Sequence, residues 1–376
     1  MSGPSEADTM DAVVIDGFES FDVVDVPRPD PEPGEVLIEV SRVQLSVTEC
    51  LLYRGESVAH FDDVKRRMRT EEPGARLFGH EFAGTVVERG SGVDAFSVGD
   101  RVYAPGKIHC GSCAYCRSGY HNYCPDTEGI GYDRPGALAE YVSLPVEPLR
   151  RISDRVSDAE GAALQPLASS VLCVADAGID PGDDVLVVGT GVMGFQCALL
   201  ARRFGASDVY AVDVRERPLE LAAAGGATPI DATETDPVAA VREATDGLGA
   251  DVAFAAVGGN QSHATAGDDP IAQAFRAVRR GGTVLQVGHV SGDVEMTPRD
   301  ARSKAVRWEN PRKGTADLGP GTDTGELAGE LVADGEVPIG EYVTHELAGL
   351  SSFGVAVDVT LEKGEHDALG PAQIIV

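Results

Sequence analysis

Residues 183–206 read DDVLVVGTGVMGFQCALLARRFGA, and the fold is decided there. Val185 to Val188 form an apolar run of the kind buried in a parallel strand, and the residues after Gly191 repeat apolar positions at helical spacing. Between them Gly189, Thr190, Gly191, Val192, Met193 and Gly194 spell GxGxxG, a motif that means little alone and much between a strand and a helix. The first glycine makes the tight turn, the second lets backbone amides approach a pyrophosphate, and the third allows close helix–sheet packing. A diphosphate is expected on the helix N-terminus. Asp213 ends the next apolar run, DVYAVDV (208–214), where a carboxylate would bond a ribose diol and repel a 2′-phosphate. NAD is therefore expected over NADP, with Arg215 partly offsetting the preference. Outward from this unit the alternation continues: a helix over 236–247, a strand over 251–258, a helix over 271–282 and a strand over 283–290. Strands alternating with helices predict an α/β domain with a doubly wound parallel sheet.

The segment before it is different. EVLIEV (35–40), FAGTVVERG (82–90), GDRVYA (99–104) and LAEYVSLP (138–145) are short β-branched runs broken by Gly, Pro and Asp, and predict a β-rich domain. After about residue 310 the pattern returns to loops, a helix over 325–335 and a terminal strand in AQIIV. A length of 376 residues suits two domains. Acidic residues number 61 against 31 basic, a net charge of −30, and only five of the basic residues are lysines. Such a surface repels nucleic acid and anionic membranes and argues against both as partners. Spread along the whole chain, it reads as adaptation to high salt, which screens self-repulsion. No apolar run reaches the roughly 20 residues of a membrane span. The N-terminus has neither the basic nor the apolar region of a signal peptide, so a cytoplasmic protein is expected, with translation starting at Met1 or at Met10.

Four of the seven cysteines cluster as Cys110, Cys113, Cys116 and Cys124 in HCGSCAYCRSGYHNYC (109–124). Thiolates at this density can form a tetrahedral shell for a structural zinc. An iron–sulfur cluster uses similar runs at shorter spacing, and the wider gap before Cys124 favours zinc. Disulfides do not suit a reducing cytoplasm. Cys173 and Cys197 fall in predicted helices, where cysteine packs as a small apolar residue.

Gly79-His80-Glu81-Phe82-Ala83-Gly84, then Gly99-Asp100-Arg101-Val102, the cysteine lobe and the glycine turn occur in that order. The set resembles the zinc-dependent medium-chain dehydrogenase/reductase superfamily, which includes alcohol, sorbitol, threonine and glucose dehydrogenases. The resemblance implies a GroES-like catalytic domain (1–165, with return over 309–376) split around a Rossmann domain (166–308), an active site in the cleft, and a homodimer or homotetramer. It also implies a catalytic zinc held by a cysteine, by the histidine of GHE, and by a neighbouring or distal carboxylate. The cysteine position falls on Ser46 in VQLSVTECLLYRG (43–55), and the distal carboxylate on Gln165 of QPLA. His80 and Glu81 are intact. Three arrangements follow: zinc on His80, Glu81 and Gln165 with a water; Cys50 swinging in as a replacement thiolate; or no catalytic metal. An unionised hydroxyl such as Ser46 is a poor zinc ligand beside a thiolate. Thr48 matches the hydroxyl that begins the family's proton relay, and Glu49 matches the acid that orients the ligating histidine.

The implied activity is NAD-dependent oxidation of a secondary hydroxyl of a polyol, sugar or related alcohol, reversible as carbonyl reduction. A zinc-independent reductase of an activated double bond or quinone and a non-catalytic dinucleotide sensor are the alternatives. VKRRMR (64–69) reads as a helix face paired with local acids or as a contact for a polar substrate. Arg307, Arg312 and Lys313, near Trp308, are expected to border cofactor and substrate, and His289 to be structural.

Overall fold

Alternation decides the first sheet: in Glu35–Gln44 the side chains of Val36, Ile38, Val40 and Val43 are buried in one core. A computed structural model describes residues 9–259, 261, 265–267, 269–290, 294, 298–311, 314–319 and 322–376. The chain divides into two compact units, residues 1–168 with 314–376, and residues 169–313.

The first unit opens with a hairpin of β1 (Thr9–Gly17) and β2 (Ser20–Pro27), followed by β3 (Glu35–Gln44), α1 (Val47–Tyr53) and α2 (Phe61–Thr70). Then come β4 (Glu81–Arg89), β5 (Arg101–Tyr103), α3 (Ala114–Arg117), β6 (Tyr141–Pro145), β7 (Arg150–Arg151) and α4 (Asp158–Ala162). Helix α5 (Leu164–Ala177) runs through the boundary.

In the second unit β8 (Asp184–Val188), α6 (Val192–Arg203), β9 (Asp208–Asp213), α7 (Glu216–Ala224), β10 (Thr228–Asp231) and α8 (Pro237–Ala244) alternate. So do β11 (Ala250–Ala255), α9 (Pro270–Ala277), β12 (Val278–Gln286), α10 (Pro298–Lys304) and β13 (Arg307–Glu309). The sheet order is β10-β9-β8-β11-β12-β13, parallel throughout, a doubly wound sheet as expected from the sequence. The helix expected over 271–282 is shorter. It ends at Ala277, and Val278 already pairs with Ala250, because the register shifts beyond this pair and draws the Arg279 guanidinium onto Asp251.

The chain then returns to the first unit through β14 (Asp317–Gly319), β15 (Thr322–Asp323), α11 (Thr324–Ala333), β16 (Glu346–Ala348), α12 (Phe353–Leu361) and β17 (Gln373–Ile375). Strand β17 adds antiparallel to β3, completing the order β16-β17-β3-β4-β5-β7 with β6 on the other stretch of β3. On α12, Phe353 packs edge-on against Tyr53 of α1 at 5.0 Å, fixing the helix that follows Ser46.

The basic islands resolve differently from each other. Arg67 is buried; it pairs with Glu71 and donates to the carbonyls of Tyr132 and Arg134, so part of VKRRMR is an internal clamp. Arg307 donates to Thr283 Oγ1 at 2.8 Å across the sheet edge, and Trp308 meets Phe275 edge-on at 5.2 Å. Arg312 and Lys313 lie outside the described residues. His289 accepts Gly259 N–H at its carbonyl at 2.7 Å, a backbone contact. Among the described residues no helix is long and apolar enough to cross a membrane.

Candidate active site and cofactor site

Where β3 gives way to α1, Ser46 is the N-cap. Its Oγ accepts from Glu49 N–H, and Glu49 Oε2 accepts from Ser46 N–H, both at 3.2 Å. This capping box satisfies two orphan donors of the helix and fixes the Glu49 carboxylate. With Glu49 only 1% exposed, its other oxygen faces His80: Oε1 accepts from His80 N–H at 3.2 Å and lies 2.6 Å from Nδ1. The carboxylate therefore orients the imidazole and turns Nε2 away from Glu49, toward Glu81. Burial opposes charging the ring, but the charge and hydrogen bond of Glu49, with Glu81 behind it, hold the His80 pKa above its ordinary value.

The backbone ahead of His80 is tightly built. Gly79 has φ +81°, and a Cβ there would sit 2.7 Å from Leu138 N. A Cβ on Gly136 would sit 1.7 Å from the Phe78 carbonyl oxygen. Both positions require glycine, and together they press the loop carrying Tyr132 against the GHE turn. Tyr132 is buried, and its hydroxyl lies 3.4 Å from His80 Nδ1. Sequence reasoning missed this tyrosine, although the glycines of GIGYDRPGAL (129–138) around it were a signal of close backbone approach.

Glu81 begins β4, and its carboxylate oxygen lies 3.7 Å from His80 Nε2. Gln373, Gln44 and Glu81 stand opposite one another on β17, β3 and β4. Gln44 Nε2 donates to Glu81 at 2.6 Å, and Gln373 Nε2 to Gln44 Oε1 at 3.2 Å. Burial pushes the Glu81 carboxyl up to about 7, while His80 and Gln44 pull the other way. Gln165, in the first turn of α5, donates to the Pro105 carbonyl at 3.5 Å. Thr48 is half-buried in the first turn of α1. Cys50 is fully buried; burial, then the Glu49 charge, raise its pKa. It packs as a helix cysteine in this arrangement and not as a replacement thiolate.

Two metal positions were expected, and they differ in how well their donors fit. In the lobe the Sγ–Sγ separations are 3.4 Å (Cys113–Cys116), 3.6 Å (Cys124–Cys110) and 3.9 Å (Cys110–Cys116 and Cys113–Cys124). Four sulfurs about 2.3 Å from one tetrahedral zinc stand about 3.8 Å apart, so this shell fits. Backbone N–H groups of Ser112 and Cys113 favour the Cys110 thiolate and lower its pKa to about 6. Among the described residues it is the only group of three or more His, Cys, Asp or Glu whose ligand atoms all lie within 4.8 Å of one another. At His80 the separation from Glu81 suits two ligands of one ion, whereas the Ser46 hydroxyl is engaged by the cap.

In the second unit the glycine turn has the geometry its sequence implies. Gly189 has φ +91°, and a Cβ on Gly194 would lie 1.8 Å from the Gly189 carbonyl oxygen, whereas one on Gly191 meets nothing within 4 Å. Gly191 caps α6, and Val192, Met193 and Gly194 form its first turn. Asp213 Oδ2 accepts from Thr190 N–H and Oγ1 at 2.9 and 3.0 Å. Its Oδ1 accepts from Val214 and Arg215 N–H and faces Arg215 Nε at 3.6 Å. The carboxylate thus ties the end of β9 to the glycine turn.

Residues 32–154 match the alcohol dehydrogenase GroES-like domain family, and residues 189–310 the zinc-binding dehydrogenase family. Among curated proteins, an L-threonine 3-dehydrogenase of Xanthomonas axonopodis pv. citri is 37% identical over 205 residues, 54% of this chain and 57% of that protein. The match thus spans just over half the length of such relatives. A solved zinc-binding dehydrogenase of Sinorhizobium meliloti 1021, bound to NADP, is 26% identical with a TM-score of 0.78, covering 98% of this chain and 99% of that one. The 2R,3R-butanediol dehydrogenase of Bacillus subtilis is 25% identical with a TM-score of 0.79, covering 97% and 98%.

Proposed function

We propose that the chain, with its matches to the alcohol dehydrogenase GroES-like domain and zinc-binding dehydrogenase families, is a zinc-type medium-chain dehydrogenase that oxidises a secondary hydroxyl of a polyol, sugar or related alcohol with NAD. The observation that carries this reading is the Glu49–His80 pair, closed at 2.6 Å inside a capping box that also holds Ser46. A lone surface glutamate would have no reason to be buried against an imidazole. The substrate oxygen is bound beside His80 Nε2, and hydride leaves its carbon for the nicotinamide. Thr48 passes the hydroxyl proton outward. Tyr132 keeps its own proton, since burial and then Glu49 raise its pKa well above the ordinary value. A zinc ion here would be held by His80 and Glu81 with Gln165 as a neutral donor, and would supply Lewis-acid stabilisation of the alkoxide. The lobe zinc would staple residues 110–124 and take no part in chemistry.

Asp213 supports NAD over NADP by charge, with Arg215 as a partial counterweight. The acid excess supports a protein that works in high salt, and the superfamily resemblance a homodimer or homotetramer. The test is reduction of NAD and NADP across a panel of secondary alcohols, polyols and hydroxy amino acids in high potassium chloride. At least one secondary alcohol should give NADH, with kcat/KM for NAD more than tenfold above that for NADP. Tight NAD binding with no turnover anywhere on the panel, in either direction, would instead support the dinucleotide sensor.

A further inference from the structure

Behind Glu81 stands a chain of buried amides that the proposed reaction does not use. Glu81, Gln44 and Gln373 lie directly opposite one another in the register of β4, β3 and β17, so their side chains share one face of the sheet. They are 6%, 3% and 0% exposed, too deep for water to satisfy them freely.

The direction of each amide follows from its neighbours. Gln373 Nε2 lies 2.7 Å from the Ala159 carbonyl oxygen and 3.2 Å from Gln44 Oε1. A backbone carbonyl only accepts, so the nitrogen of Gln373 must face Ala159, and both of its N–H groups are used. Gln44 then turns its oxygen to Gln373 and its nitrogen to Glu81, donating to Oε2 at 2.6 Å. Gln373 Oε1 is left buried without a partner among the described residues, whereas the reversed amide would set that oxygen against the Ala159 carbonyl. The donors thus run one way, from Gln373 through Gln44 to the carboxylate, and each bond polarises the next.

We propose that Gln44 and Gln373 are positioning residues for a divalent cation at His80 and Glu81. The two amides engage Oε2 and so present Oε1, the oxygen 3.7 Å from His80 Nε2, as the ligand atom. This rests on the reading of His80 as the reaction centre. A neutral amide suits the task. Among the described residues no lysine or arginine pairs with Glu81. A guanidinium in the place of Gln44 would cancel the charge that draws a cation, whereas an amide fixes the carboxylate and leaves its charge in force. A carboxylate buried this deeply calls for positive charge near its second oxygen. The anchor is itself fixed: Ala159 lies in α4, started by a capping box between Ser157 and Glu160, and α4 runs into α5, whose first turn carries Gln165. The ladder therefore ties the stretch leading to the third candidate ligand to the sheet that carries the second.

The test is calorimetric titration of Zn2+ into the full chain already carrying one zinc per chain, in high potassium chloride. His80→Ala identifies which heat belongs to the ion at His80. Gln44→Met keeps the shape of the side chain and loses the donor; it should raise the Kd of that ion by about 10- to 100-fold. Gln44→Asn, whose amide is one carbon short, should fall between parent and Gln44→Met. Gln373→Met should raise the Kd by a smaller factor, and the double variant should bind no more weakly than Gln44→Met alone, because Gln373 acts through Gln44. Side chains that merely fill the core would give additive losses. Retention of the first zinc and of Tm marks each variant as folded. A parent that takes no second ion at His80, a Kd unchanged in Gln44→Met and Gln44→Asn, or additive losses in the double variant overturns the ladder. Any of these in a protein that still oxidises an alcohol leaves the dehydrogenase reading standing. A ladder-dependent ion in a protein that reduces NAD with no alcohol overturns that reading and leaves the ladder in place.

Discussion

Replacing Glu49 with glutamine should lower kcat/KM for the alcohol by about 10- to 100-fold, the range found when the partner of a working histidine is removed. The glutamine keeps the size of the side chain and an oxygen for the Ser46 N–H, so the capping box and α1 should survive. What it loses is the negative charge 2.6 Å from His80 Nδ1, and with it the force that sets the tautomer and the orientation of Nε2. Steady-state kinetics alongside thermal unfolding separates the two roles. A large fall in rate with Tm nearly unchanged supports an orienting acid. An unchanged rate would reduce Glu49 to a cap. Ser46→Ala is the matched control, since loss of an N-cap costs about 1 kcal/mol of stability.

Replacing Cys113 and Cys116 together with serine should remove one zinc per chain and lower Tm by more than about 5 °C, since in a chain of this size a loss of about 4 kcal/mol moves Tm by about 5 °C and a structural zinc contributes about 10 kcal/mol or more. The lobe has little else to hold it. Three of its tyrosines, Tyr115, Tyr120 and Tyr123, are largely exposed, and its regular structure amounts to α3 and a single 3-10 turn. Its four sulfurs converge in the geometry of a closed zinc shell, so metal binding there is folding energy. Metal analysis of parent and variant also counts the second position. Two zinc ions in the parent and one in the variant would place an ion at His80; one and none would leave the reaction to the residues alone. A variant that keeps its full metal content and Tm would refute the structural lobe.

What could be read from the sequence was local. The glycine turn and the cysteine run each announce themselves within about fifteen residues, because backbone conformation and ligand spacing are short-range constraints. The β-rich first unit was readable because its strands carry β-branched runs between Gly, Pro and Asp. The end of α9 was not, since alanines and arginines at 274–280 suit a helix, and only the pairing of Val278 with Ala250 turns them into a strand. The surroundings of His80 were half legible. His80, Glu81 and Glu49 sit in motifs, whereas Tyr132 arrives from a loop 52 residues further along, through steric demands that glycines meet. Gln44 and Gln373 reach Glu81 by sheet register, which no single segment encodes. Lys107 and His60 are 47 residues apart and meet only in the fold.

The most direct measurement follows the hydride itself. L-Threonine deuterated at C3 and 2,3-butanediol deuterated at both carbinol carbons are each incubated with the protein and NAD, and the cofactor is examined by mass spectrometry. The account predicts that deuterium from at least one of them appears on the reduced nicotinamide, and that Glu49→Gln slows its appearance. Reduced cofactor without label, or no reduced cofactor from either compound, would contradict it.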